Sequence, residues 1–121
     1  MNHHKNRSFP TRLRFAFSGI RWAWKGEASF RTQVFCMLGA VVLLIALRAE
    51  PLWWALFLLS IGGVFSAELI NTAFEKLVDR IHPDEDPFIG QAKDCAAGAV
   101  LIFSLCTVGV AIAFLASRFG F

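Results

Sequence analysis

Glu68, Asn71, Glu75 and Asp79 recur at helical spacing where one of the most apolar stretches of the chain runs out. At about 100° per residue they fall within roughly 80° of one another and share one helix face. Glu68 and Glu75 would stand about 10 Å apart along the axis, at a rise of roughly 1.5 Å per residue. Lys93 and Asp94 follow after an acidic turn, HPDEDP. Carboxylates leaving an apolar segment beside a lysine require an explanation, because charge is costly to hold in hydrocarbon. Glu27, Glu75 and Asp79 are hard oxygen donors, able to hold Mg²⁺ whose shell is completed by water and phosphate oxygens. Lys93 can neutralise phosphate charge. Glu68, deeper in the apolar run, is placed to act as a general base, and Asn71, one turn along, can orient it or a phosphate. The set points to phosphoryl transfer from a nucleotide to a lipid hydroxyl. A charged face whose salt bridges hold an oligomer together fits the spacing as well, and the usual nucleotide loops (GxxxxGK, GxGxxG, HRD with DFG) are absent from the sequence.

The composition says where such a site must sit. Of 121 residues 56% are hydrophobic, including thirteen Phe and four Trp, and the mean hydropathy is +0.55. That is too apolar, and too segmental, for an ordinary soluble domain. The charge is lopsided: up to Arg31 there are seven basic residues and one acid, Glu27, whereas the rest holds five basic and eight acidic side chains. A basic segment before the first span predicts a cytoplasmic N-terminus, with anionic lipid headgroups rather than nucleic acid as its partner. No cleavable leader is expected. Cys36, Cys95 and Cys106 form no metal or disulfide pattern and read as small buried thiols.

Taken in order, residues 1–11 read as a polar tail containing Pro10, with His3 and His4 incidental. Residues 12–27 carry Leu13, Phe17, Ile20 and Trp24 on one side and Arg14, Arg21 and Lys25 elsewhere, the pattern of a basic amphipathic helix lying on a membrane surface. Residues 30–48 form a first span. Arg48, Glu50 and Pro51 make a turn, with Pro51 at the first position of the next helix. Residues 52–80 form a second span that continues into water, and residues 88–117 a third. Gly62, Gly63, Gly90, Ala92 and residues 96–99 offer small surfaces for close helix contacts. The expected architecture is an all-α membrane protein with one surface helix and three transmembrane helices. Its turn at 48–51 and its C-terminus lie outside, and the acidic loop returns to the cytoplasm.

The run AELINTAFEKLVDRI, followed by GQAKDCAAGAVLI and preceded by GIRWAWKGEASFR, resembles the signature of the small prokaryotic diacylglycerol kinase family, which includes undecaprenol kinases. The resemblance spans about residues 12–114 and implies a homotrimeric bacterial inner-membrane enzyme with active sites shared between subunits. It implies that Glu68 is the catalytic base and Asn71 an active-site residue. Glu27 and Glu75 would hold Mg²⁺ and, through it, the co-substrate ATP. Lys93, Asp94 and the loop residues Asp84, Glu85 and Asp86 match nucleotide-contacting positions, as do Arg12 and Phe15. Arg21, Trp22, Ala23 and Trp24, then Ser29, Phe30, Arg31, Thr32 and Gln33, match lipid-contacting segments, together with Ala97. Members acting on diacylglycerol can carry serine where this chain has Ala97, and AAGAVL is similar to the undecaprenol kinase form, whereas WKGEASFRTQ is similar to the diacylglycerol kinase form. The HPDEDP loop departs from the family in lacking an aromatic residue or His after its first acid. The expected activity is ATP-dependent phosphorylation of diacylglycerol to phosphatidic acid, with undecaprenol as the alternative acceptor. The rival from another class is a small transporter using Glu68, or a non-enzymatic assembly subunit.

Overall fold

The computed structural model describes residues 7–121; the start of the tail, with His3 and His4, lies outside the described residues. The chain forms four helices: α1 (Phe9–Gly26), α2 (Ala28–Ala46), α3 (Pro51–Ile81) and α4 (Pro87–Phe119). Three of them, α2, α3 and α4, are long and apolar enough to cross a membrane. At about 1.5 Å per residue, α3 and α4 far exceed the ~30 Å hydrocarbon core, so each carries a turn or more beyond it.

Local chemistry fixes each boundary. The first helix starts at Phe9, inside the stretch expected to be tail, because extended Ser8 precedes it and Pro10 occupies the first turn. Proline is tolerated there, where its missing N–H has no helical partner to lose. Glu27 is at once the residue that ends α1 and the one that starts α2, in an extended conformation of φ −120° and ψ 109°. A single extended residue turns the chain sharply between the two helices. Arg48, at φ 53°, closes α2 in the left-handed region usually given to glycine. Pro51 and Pro87 open α3 and α4, and the Asp86 carboxylate accepts the Phe88 N–H at 2.8 Å, capping α4.

The α3–α4 hairpin is the main packed unit. A side chain on Gly63 would run into the Phe103 ring, so the two helices touch there because glycine allows it. Gly62, Gly90 and Gly98 instead have open space where a side chain would stand. The apolar core, Leu44, Phe57, Ile61, Val64 and Phe114, sits toward the α2–α3 turn, with Trp53 edge-on to Phe114 at 5.5 Å. At the other end the rings of Phe30 and Phe65 meet at 5.4 Å. Phe114 is the single buried residue of α4. Contrary to expectation, Cys36, Cys95 and Cys106 are all exposed, on outward faces of α2 and α4 that a lipid phase leaves as apolar as a core.

Gly63→Val should overpack the hairpin and cost about 1–3 kcal/mol, with Phe103→Ala in the same chain recovering part of the loss. Thermal unfolding in detergent micelles, followed by circular dichroism, measures both.

Candidate active site

Glu68 lies near the middle of α3 and is 5% exposed. The Ser29 hydroxyl donates to its Oε1 at 2.8 Å and the Gln33 amide to its Oε2 at 3.3 Å. Ser29 and Gln33 are four residues apart, so they stand on one face of α2. A carboxylate taken from water costs several kcal/mol unless hydrogen bonds compensate, and α2 supplies them. The sequence offers Asn71 as a group that could orient Glu68 or a phosphate. The structure gives that work to Ser29 and Gln33. Asn71 Oδ1 and Gln33 Oε1 are buried with no partner among the described residues. Two buried acceptor oxygens, one on each helix near Glu68, thus lack a donor.

The corner before α2 is held from the side. Arg31 Nη1 donates to the carbonyls of Trp24 at 2.6 Å and Lys25 at 3.2 Å, placing a cation at the carbonyl end of α1. Thr32 bonds back to the Ala28 carbonyl, and the Trp24 ring lies 6.2 Å from that of Phe35. Ala23 and Phe30 are buried, whereas Arg21 and Trp22 are exposed. Glu27 and Glu75 are both half-buried. Toward the α3–α4 loop, Lys93 donates to Asp79 at 2.5 Å across the hairpin. Asp86 caps α4 and approaches His82 at 3.9 Å, while Asp84, Glu85, Asp94 and Ala97 are exposed, as are Arg12 and Phe15 on α1.

The chain thus joins Glu68 to Ser29 and Gln33, Arg31 to the end of α1, and Lys93 to Asp79. No hydrogen bond or ion pair among the described residues links Lys93 to Glu27, Glu75 or Asp94. No group of three or more His, Cys, Asp or Glu converges there on a possible metal position. Two hard carboxylates, Glu27 and Glu75, still match the needs of Mg²⁺, which usually takes one or two protein carboxylates and fills its shell with water and phosphate oxygens.

Two apolar grooves flank α1. One, of about 640 Å³, runs between α1, α2 and α3 past Phe17, Arg21, Trp24, Phe30, Val34 and Phe65. Phe30 and Val34 neighbour the two side chains that hold Glu68. The other, of about 710 Å³, lies between α1 and α3, with Gly19, Trp22, Ala23, Thr72 and Lys76 in its lining. Ile20 and Leu69 border both and form the partition.

Comparison with known proteins finds relatives over most of the chain. A family profile described as prokaryotic diacylglycerol kinase matches residues 14–115. A diacylglycerol kinase of Escherichia coli is 35% identical over 106 residues, covering 88% of this chain and 87% of its own. An undecaprenol kinase of Bacillus subtilis is 37% identical over 112 residues, covering 88% of each. A diacylglycerol kinase of Helicobacter pylori is 36% identical over 90 residues, covering 74% of this chain and 70% of its own.

Arg31→Ala should free the end of α1 without disturbing the hairpin. Limited trypsin digestion read by mass spectrometry should then show faster cleavage after Lys25, with cleavage after Lys93 unchanged.

Proposed function

The chain belongs to the prokaryotic diacylglycerol kinase family, and from that membership we propose that it is an ATP-dependent lipid kinase phosphorylating the primary hydroxyl of diacylglycerol to give phosphatidic acid. The observation that carries the reading is the buried Glu68 carboxylate held by Ser29 and Gln33. Ser29 and Gln33 each fill one acceptor position of the carboxylate and leave others, onto which the hydroxyl of a lipid acceptor can donate.

In this reading the acceptor's chains lie in the groove between α1, α2 and α3, whose walls are aromatic and aliphatic apart from Arg21. Its hydroxyl reaches Glu68, and the Asn71 amide N–H can donate to an ester carbonyl of the lipid head. Glu68 takes the hydroxyl proton as the oxygen attacks the terminal phosphorus of ATP, and ADP leaves on the opposite side. Ser29 and Gln33 keep the carboxylate pointed at the acceptor throughout, so little reorganisation accompanies the step. Glu27 and Glu75 would hold Mg²⁺, which when bound offsets phosphate charge and orients phosphate oxygens. Lys93 exchanges Asp79 for a phosphate, a move open to a side chain that is 33% exposed. Asp94, Asp84 and Glu85, with Arg12 and Phe15, complete the nucleotide side.

The same proposal puts the protein in the bacterial inner membrane, with the basic N-terminus and the acidic loop in the cytoplasm and the C-terminus outside. In it α1 lies along the cytoplasmic surface, and three copies share their active sites. The nearly bare α4 supports the assembly, since a helix of that length with one buried residue has apolar surface free for other copies or lipid. Undecaprenol is the second acceptor to consider. Ala97 and the AAGAVL run favour it, as does the similarity to the Bacillus subtilis undecaprenol kinase.

Glu68→Gln should leave a folded protein whose transfer of labelled phosphate from ATP to lipid falls roughly 100-fold or more, the scale of a lost general base. Near-normal turnover in micelles with MgATP would remove Glu68 from that role, and wild-type protein that labels no lipid would remove the kinase reading. Offering diacylglycerol and undecaprenol side by side gives the acceptor directly. Glu75→Gln should raise the Mg²⁺ concentration needed for half-maximal activity about tenfold, the effect of one weakened charge-assisted contact, in a magnesium titration of the same assay.

A further inference from the structure

None of the residues given a role in that mechanism lines the groove between α1 and α3, although its Trp22 and Ala23 match lipid-contacting positions, and it has the shape and polarity of a ligand site. Its volume of about 710 Å³ lies within the roughly 300–1,000 Å³ typical of small-molecule pockets. Its walls are apolar along most of their length, through Gly19, Trp22, Ala23 and Leu69, and two polar side chains enter from α3: Thr72 and Lys76. Thr72 is only 6% exposed, and its hydroxyl makes no hydrogen bond among the described residues. Lys76 has no acidic partner there either. Asp79, three residues on and close enough on a helix to pair with it, is bonded to Lys93 instead. An apolar trough with a lone ammonium and an unpartnered hydroxyl on one wall fits an amphiphile with one anionic head, and leaves a soluble anion nothing to fill the trough.

We propose that this groove binds a lipid phosphomonoester, its acyl chain along α1 between Trp22 and Leu69 and its phosphate on Lys76 and Thr72. The choice of a monoester follows from charge: a compact ammonium attracts a phosphate carrying close to two negative charges more strongly than a diester or a zwitterion. It rests on the kinase reading in one respect, that such a lipid is the reaction's product. Thr72 is about one turn from Glu68 and Lys76 about two, at roughly 1.5 Å per residue. The head would thus lie toward the aqueous end of α3. Product and incoming acceptor would occupy opposite sides of the Ile20–Leu69 partition, so one need not leave before the other enters.

The test requires neither ATP nor turnover. In the full-length protein, Trp24, Trp53 and Trp54 are changed to Phe, leaving Trp22 on the groove wall as the fluorophore. Phosphatidic acid with brominated chains should quench it at about tenfold lower mole fraction than phosphatidylcholine or diacylglycerol with the same chains, the effect of one charge-assisted contact. Lys76→Gln should abolish the preference and Lys76→Arg retain it. Equal quenching by phosphatidic acid and phosphatidylcholine, or an unchanged preference in Lys76→Gln, would overturn the proposal. Quenching by none of the lipids would do the same, by showing the groove covered by another copy. If the tryptophan-reduced chain does not fold, native mass spectrometry of the otherwise unaltered protein and of Lys76→Gln decides. Phosphatidic acid adducts lost on substitution support the site, and equal adducts reject it. A protein that labels no lipid but keeps the preference loses the kinase reading and keeps the site; normal turnover without the preference loses the site alone.

Discussion

One buried carboxylate constrains the whole arrangement. Glu68 sits where α3 is still apolar on its other faces, and a charge there is tolerated only if another element brings donors to it. The backbone N–H groups of α3 are spent within the helix, so the donors must come from side chains of a neighbour. Ser29 and Gln33 provide them from the first turns of α2, which fixes the rotation and height of α2 against α3. Removing one such donor from a buried group typically costs about 1–3 kcal/mol, and more where the group is charged. The one-residue corner at Glu27 and the Arg31 contacts to the end of α1 are consequences: with α2 pinned at its start, α1 has to turn away immediately, and its last carbonyls need a cation.

The far ends of the helices make that placement possible. Leu44 and Phe114 meet Phe57, Ile61 and Val64 around the α2–α3 turn, so α2 is held at the end opposite Glu68. At the other end of the hairpin the Asp79–Lys93 pair ties α3 to α4 where both leave the apolar zone, and the Asp86 cap fixes the start of α4. An exposed ion pair adds little stability by itself, with a median of roughly 0–1 kcal/mol. Its effect is on pairing: it occupies Asp79 and leaves Lys76 free to face the groove along α1.

What could be read from the sequence follows from the range of each signal. Three apolar runs, the continuation of the second into water, and the prolines opening α3 and α4 are local patterns, and the helices follow them closely. Pro10 was ambiguous because a proline serves equally in a tail or in a first helical turn. Spacing put Asn71 on the face of Glu68, but no spacing says which helix lies opposite. The serine and glutamine that bond Glu68 look in sequence like the polar entrance to any span, although their four-residue separation was the available hint. Lys93 and Asp79 meet only because the hairpin brings them together. Adjacent Gly62 and Gly63 differ by about 100° around the helix, so one faces α4 and the other does not. The cysteines misled because small thiols seek apolar surroundings, and lipid supplies these without burial inside the protein.

A chain this short, without a phosphate-binding loop, must find the positioning part of catalysis elsewhere. For a lipid acceptor the bilayer provides much of it. A hydroxyl anchored by its acyl chains is already confined to a thin layer at the interface, so the search that a soluble kinase must restrict by binding is largely restricted in advance. Under the proposed kinase reading, what remains on the acceptor side is a base at the matching depth. Glu68 is held at one height by donors on a neighbouring helix, and grooves on either side of α1 offer acyl chains a place to lie. On that reading the depth of the carboxylate in α3 is the quantity the fold has to hold fixed. The Ser29–Glu68–Gln33 contact is what holds it.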